Sequence, residues 1–257
     1  MQRSPERWIA IVGTFIFVTC TMAEEDHGSI SQLRAKAEQG DASAQLQLGQ
    51  AYDRGLRVKR DSSEAALWYR KAAEQGNAAA ENDLGSLYQF GEGVPQSNDE
   101  AVKWYQKAVD QDYPQAYSNL GYMYDKGLGV AEDKAHGVAL YRTAAEKGSL
   151  DGMLNLGVCY WRGEGVTKDL VQAHMWIDLA RSYSGVSSDD PRVHKTARTA
   201  WFDIEREMTT RQIHAAEKLE SEWATAHRLG SEYYTGADRR SLSTVPMVAC
   251  HRVSRQV

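Results

Sequence analysis

Leu84-Gly85-Ser86-Leu87-Tyr88-Gln89-Phe90-Gly91-Glu92-Gly93-Val94 decides how this chain folds, because the same pattern returns every 36 residues. Gly121 to Val130 and Gly157 to Val166 repeat it downstream. Upstream the pattern survives as Leu48, Gly49, Tyr52 and Gly55. The columns Leu48, Leu84, Leu120, Leu156 and Tyr52, Tyr88, Tyr124, Tyr160 keep their identity throughout. Self-similarity at such a period marks a solenoid, in which a unit buries its apolar side only by stacking on its neighbours.

Within a unit, Ala44, Leu48 and Tyr52 fall at i, i+4 and i+8, one stripe of a helix. Gly49, Gly85, Gly121 and Gly157 sit inside that first helix, where glycine costs about 1 kcal/mol relative to alanine. Close approach of a neighbouring helix is the offsetting reason this recurrence predicts. Gly55, Gly91, Gly127 and Gly163 stand where a left-handed residue would close the helix. A second glycine follows at Gly93, Gly129 and Gly165, but the first unit has Arg57, so its loop is expected either to avoid positive φ there or to be strained. A second helix is expected to begin near Asp61, Ser97, Asp133 and Asp169, all capping chemistry. It carries Trp68, Trp104, Leu140 and Trp176, read as core fillers, with Ala72, Ala108, Ala144 and Ala180 one turn on.

The expected architecture is all-α, a solenoid of helix-turn-helix units spanning 41–76, 77–112, 113–148 and 149–182. Residues 29–40 match the second helix of a unit and predict an N-terminal capping helix. A turn-rich linker at 183–191 leads to a closing helical hairpin within 193–229, whose second helix starts on the capping box Thr209 and Gln212. Periodicity stops at Ser231, and 231–257 reads as a disordered basic tail with Arg239, Arg240, Arg252 and Arg255 and no acid after Asp238.

Residues 1–23 have the layout of a secretory leader: Arg3 and Arg7, an apolar run from Trp8 to Val18, then Ala23 at the cleavage position. The run is too short for a transmembrane span, which needs about 20 residues. This predicts a periplasmic or secreted protein, with lipidation at Cys20 as an alternative. The formal charge of −5 gives no electrostatic footprint for nucleic acid. The basic tail allows weak association with an anionic envelope polymer or lipid. Cys159 shares a column with Ala51, Leu87 and Met123 and reads as a buried apolar residue; whether it pairs with Cys250 is left open.

The glycine-loop stretch quoted above, with Glu100-Ala101-Val102-Lys103-Trp104-Tyr105-Gln106-Lys107-Ala108, resembles the Sel1-like repeat family, relatives of the tetratricopeptide repeat. The resemblance covers about residues 29–182. It implies a right-handed α-solenoid serving as an adaptor or scaffold, often in bacterial envelopes and signalling. Some secreted members, with a cysteine pair in each repeat, are linked to cell-wall or β-lactam chemistry; this chain lacks those pairs.

The four units also serve as an internal alignment. Positions that vary on the first helix form a stripe at i, i+4, i+7, expected to face away from the core; the resemblance to tetratricopeptide repeats implies that they line a concave groove. The candidate partner-binding residues are Asn82, Ser86, Gln89, Ser118, Tyr122, Asp125 and Trp161, offering amides to a peptide or helix backbone and two aromatic anchors. No catalytic residue, metal site or cofactor is expected: HExxH, G-x-S-x-G, P-loop, C-x-x-C and Ser-x-x-Lys are all missing. Glu92 and Glu164, two layers apart, are too distant to cooperate as a glycosidase pair. The leader reading predicts that intact-mass measurement of the protein recovered from an exporting host gives Glu24 as the first residue. A chain retaining Met1 would overturn it.

Overall fold

The computed structural model describes residues 30–187 and 191–227, with side chains described outside 183–194. The leader, Cys20, Cys250 and the tail at 231–257 lie outside these residues. Every element among them is a helix: α1 (30–38), α2 (Ala42–Arg54), α3 (Ser62–Glu74), α4 (Ala78–Phe90), α5 (Asn98–Asp110), α6 (Pro114–Lys126), α7 (Lys134–Glu146), α8 (Leu150–Arg162), α9 (Leu170–Ser187), α10 (Pro191–Glu205) and α11 (Thr210–Ala226). Each helix from α2 to α9 packs on the next, and α10 and α11 both pack on α9.

The punctuation is chemical. Asp61, Ser97 and Asp133 cap α3, α5 and α7 by accepting from backbone N–H groups of the first turn, and Asp169 does the same for α9. Gly55, Gly91, Gly127 and Gly163 close α2, α4, α6 and α8 with φ between 62° and 71°. Thr209 and Gln212 form the expected capping box on α11.

The glycines inside the first helices do receive a neighbour. A Cβ on Gly85 would lie 2.8 Å from the ring of Tyr105, and one on Gly49 or Gly121 would meet Tyr69 at 2.6 Å or Tyr141 at 3.0 Å. In the fourth layer Ile177 takes the place of the ring, 2.5 Å from the same point on Gly157. Tyr69, Tyr105 and Tyr141 are among the most fully buried large side chains. In the tryptophan column next to them Trp68 and Trp176 are buried core residues, as expected, and Trp104 is the exception. Trp104 is only half-buried, and Lys107 and Lys71 place their ammonium groups 3.9 Å from the ring centroids of Trp104 and Trp68. One residue of helical rotation, about 100°, separates the two columns, and the tyrosine is the one that points at the glycine.

The second loop glycine sets the stacking of layers. A Cβ on Gly93 would fall 2.1 Å from the backbone oxygen of Ser62, at the start of α3 in the preceding layer. Gly129 and Gly165 approach Asn98 and Lys134 in the same way. Arg57 adopts φ 62° at the equivalent place, the strained of the two expected alternatives. The loop conformation is imposed by the helix ends it joins, and the first unit adopts it despite the Cβ.

A hydrogen-bond ladder absent from the sequence reading also joins the layers. Arg70 donates to the Tyr88 hydroxyl at 2.7 Å and Arg142 to Tyr160 at 2.8 Å, and Arg34 bonds Tyr52 likewise. In the third layer Gln106 replaces the arginine, and Tyr124 instead meets the His136 ring edge-on at 4.4 Å.

At the C-terminal end α9 continues to Ser187, so the first part of the expected linker is helix; no proline interrupts it before Pro191, which opens α10. The hairpin packs its Ala197, Ala200, Ile204, Ala216 and Ala224 inward, and Trp223 meets Trp176 at 5.6 Å. Glu207, between the two hairpin helices, accepts from Trp161 Nε1 at 2.8 Å and from Lys168 Nζ at 2.9 Å.

Tyr105→Ala is expected to cost about 3–5 kcal/mol in chemical denaturation, against under about half of that for Trp104→Ala. Equal costs would contradict the assignment of the core. Glu207 has its carboxyl held below its usual 4.5 by the Trp161 and Lys168 hydrogen bonds. A depressed carboxylate stabilises the fold above its unfolded value, and the contribution is lost as pH falls through the lowered folded value. The difference in hairpin docking between Glu207→Gln and the native chain, read by tryptophan fluorescence, should therefore be full near neutrality and close on acidification.

Candidate concave binding site

The first helices of the units, α4, α6 and α8, stand side by side and form the inner wall. Their polar residues bond from layer to layer. Asn119 Nδ2 donates to Asn82 Oδ1 at 2.8 Å, Asn155 Nδ2 to the Ser118 hydroxyl at 3.3 Å, and Gln115 Nε2 to Asp151 at 2.6 Å. Below them Tyr105 donates its hydroxyl to Gln89 Oε1 at 2.7 Å in a buried bond.

This lattice explains where the seven candidate residues fall. Asn82, Gln89, Ser118 and Asp125 are buried rather than turned away from packing, with Ser118 only 1% exposed. Asn82 and Ser118 are bonded to the next layer, Gln89 accepts from Tyr105 of its own unit, and Asp125 pairs with Lys126 at 2.7 Å. Ser86 is half-buried and Tyr122 is 40% exposed. Trp161 is half-buried and tied to Glu207 of the hairpin. Variation between units had looked like freedom from packing; it reflects instead alternative polar partners across layers.

A cleft of about 410 Å³ lies on this wall. It brings together Ser86, Gln89, Ser118 and Tyr122 from the candidate set and leaves out Asn82, Asp125 and Trp161. It adds Phe90, Asn119, Asp151, Leu154, Asn155 and, from α10, Thr196. Phe90 is 65% exposed. Its signal was present in the sequence: the column Arg54, Phe90, Lys126, Arg162 is basic except here. Thr196 gave none, because the hairpin lies outside the repeat register.

Positive charge only partly offsets the burial of the carboxylates here: Arg60 and Arg54 act on Asp53, Arg54 on Asp83 and Lys107 on Glu81. Burial raises the carboxyls of Asp83, Glu81 and Asp53 above their usual values, with Glu92 adding to the effect at Asp53. Asp83 is held by amides, Gln50 at 3.5 Å and Asn82 at 3.3 Å. Burial pushes the Cys159 thiol up to about 11, the environment of an inert apolar cysteine.

Elsewhere, Glu92 pairs with Arg60 at 3.2 Å, while Glu164 lies 3.8 Å from both Lys134 and Arg162. His174 is buried, with Nε2 3.4 Å from Glu205 and its ring 5.7 Å from Trp201. Among the described residues no group of three or more His, Cys, Asp or Glu is placed to hold a metal ion, and no helix is long and apolar enough to cross a membrane.

A model of the Sel1 repeat matches residues 42–77, 78–113, 114–149 and 150–182. A stretch of 64 residues is 43% identical to the secretory immunoglobulin A-binding protein EsiB of Escherichia coli O6:H1, covering 25% of this chain and 13% of that protein. The crystal structure of c5321, a protective antigen of uropathogenic Escherichia coli with an SLR fold, aligns at TM-score 0.55 and 40% identity over 68% of this chain and 41% of that one. A Sel1 repeat protein from Oxalobacter formigenes gives TM-score 0.57 and 31% identity over 66% and 75% of the two chains. This chain therefore spans well under half the length of EsiB and of c5321. The four matched units occupy more than half of the sequence and fold as stacked helical pairs: the chain belongs to the Sel1 repeat family.

Proposed function

We propose that this protein is an exported, non-catalytic scaffold whose concave cleft holds an extended segment of a protein partner. Sel1 repeats generally mediate protein–protein interaction, and EsiB is named for binding an immunoglobulin. The observation that carries the reading is the pair of exposed rings, Phe90 and Tyr122, in a cleft whose deeper polar groups are already hydrogen-bonded to one another. A ligand can bury those rings without breaking the lattice beneath, and aromatic side chains in such settings dominate binding energy.

The spacing suits an extended chain. Helices pack at about 8–10 Å, so adjacent layers repeat at roughly that distance. An extended backbone advances about 3.3 Å per residue, close to three residues per layer. Asn119 and Asn155, one unit apart in the cleft, would then meet the ligand backbone at every third residue. Export through the leader at 1–23 would place this surface in the periplasm or outside the cell.

Replacing Phe90 and Tyr122 together by alanine should leave helicity intact and stability within about 1 kcal/mol, since both rings are exposed. Partner recovery after crosslinking in intact cells should fall about tenfold or more. Undiminished recovery, or a loss that only tracks loss of helix, would defeat the proposal.

A further inference from the structure

The cleft contains one carboxylate, Asp151, and no lysine or arginine among its lining residues, alongside the rings of Phe90, Tyr105 and Tyr122. A ligand that suits it is apolar at the rings and positive at its flanks.

This chain holds such a segment. Val245-Pro246-Met247-Val248-Ala249 is apolar, with Arg239 and Arg240 before it and Arg252 and Arg255 after it, and no acid follows Asp238. Pro246 has no N–H to desolvate and disfavours a helical conformation at Val245. The segment can reach. Residues 228–244 extend to at most about 55 Å, whereas the three layers carrying the cleft span about 30 Å at ordinary helix spacing. α11, the last helix before this segment, and α10, whose Thr196 lines the cleft, both pack on α9.

We propose that residues 245–249 occupy the Phe90–Tyr122 cleft of their own chain, with the flanking arginines beside Asp151, so that the tail is a built-in competitor for the partner. This rests on the concave cleft being a binding surface. Tethering gives the tail an effective concentration on the order of millimolar, so a weak contact suffices to regulate access. An external partner then binds in full only when it displaces the tail or when the tail is drawn elsewhere.

Cys250, next to this segment, supplies a trap. In the full chain carrying Cys20→Ser, Cys159 is buried and Cys250 is the native thiol of the tail. A second thiol is added at Ser86→Cys, which lines the cleft and leaves both rings in place, or at Leu67→Cys, an exposed control on α3. With oxidised glutathione as oxidant, non-reducing mass spectrometry follows the intramolecular disulfide to Cys250. The expected result is closure about tenfold or more faster for Ser86→Cys than for Leu67→Cys. Arg239→Glu with Arg240→Glu and Arg252→Glu should remove most of that advantage. Equal rates at the two positions, or disulfide-linked dimers in place of the internal bridge, overturn the proposal. Selective closure in a protein that captures no partner would instead leave the tail contact standing and defeat the scaffold reading.

Discussion

Each of the first three layers is held by a tyrosine ring seated against a glycine backbone. The glycine costs about 1 kcal/mol of helix propensity, and the ring it admits buries well over 100 Å², so the exchange favours folding. It also fixes where the phenol oxygen ends. Tyr105 reaches Gln89 on the inner wall, and the phenol pKa values of Tyr69 and Tyr141 are raised by burial and then by neighbouring carboxylates, Asp53 and Asp125 among them. The column Asp53, Gln89, Asp125 is therefore polar because a buried hydroxyl arrives beneath it. In the fourth layer Ile177 brings no hydroxyl, and the same column carries Trp161. The two columns change together, one on each helix of the pair.

That coupling shapes what the concave face can offer. Polar residues that would look free on an isolated helix are committed to phenols below or to amides beside them, which rigidifies the wall and leaves only its outermost groups for a ligand. Exposed aromatic surface is then confined to positions where the periodic chemistry lapses. Phe90 replaces a basic residue, and Tyr122 occupies a column otherwise filled by Gln50, Ser86 and Val158. A repeat protein that keeps one scaffold acquires specificity through such lapses, because the conserved columns are needed for stacking.

The architecture was legible because its cause is local and repeated. Caps, C-terminal glycines and the stripe of Leu and Tyr each recur at fixed offsets, and the glycines inside the helices announce a close neighbour. The identity of that neighbour was not legible, since Trp104 and Tyr105 are adjacent, both aromatic, and differ only by one step of helical rotation. The inner wall failed for a related reason. Variation between units signals release from packing only when partners lie within the unit, whereas Asn119 pairs with Asn82 and Asn155 with Ser118 in the next layer. Arg57 shows the limit of reading single positions: its positive φ is dictated by the loop it belongs to, not by its own preference.

The ends of the stack explain the length of the cleft. A solenoid exposes an apolar face at each terminus, and here the fourth layer is closed by α10 and α11 folding onto α9. The hairpin does more than cover that face. Glu207 draws in Trp161 and Lys168, and Thr196 borders the cleft, so the inner wall is blocked at its C-terminal end. Trp161, an aromatic anchor when judged by its column alone, becomes part of the closure. The cleft that remains runs from Ser86 to Asn155, about two layer spacings. Past Phe90, toward the N-terminal layers, the carboxylates are already accompanied: Asp53 lies beside Arg60 and Arg54, and Asp83 is held by Gln50 and Asn82, so the uncompensated carboxylate of this face is not found there.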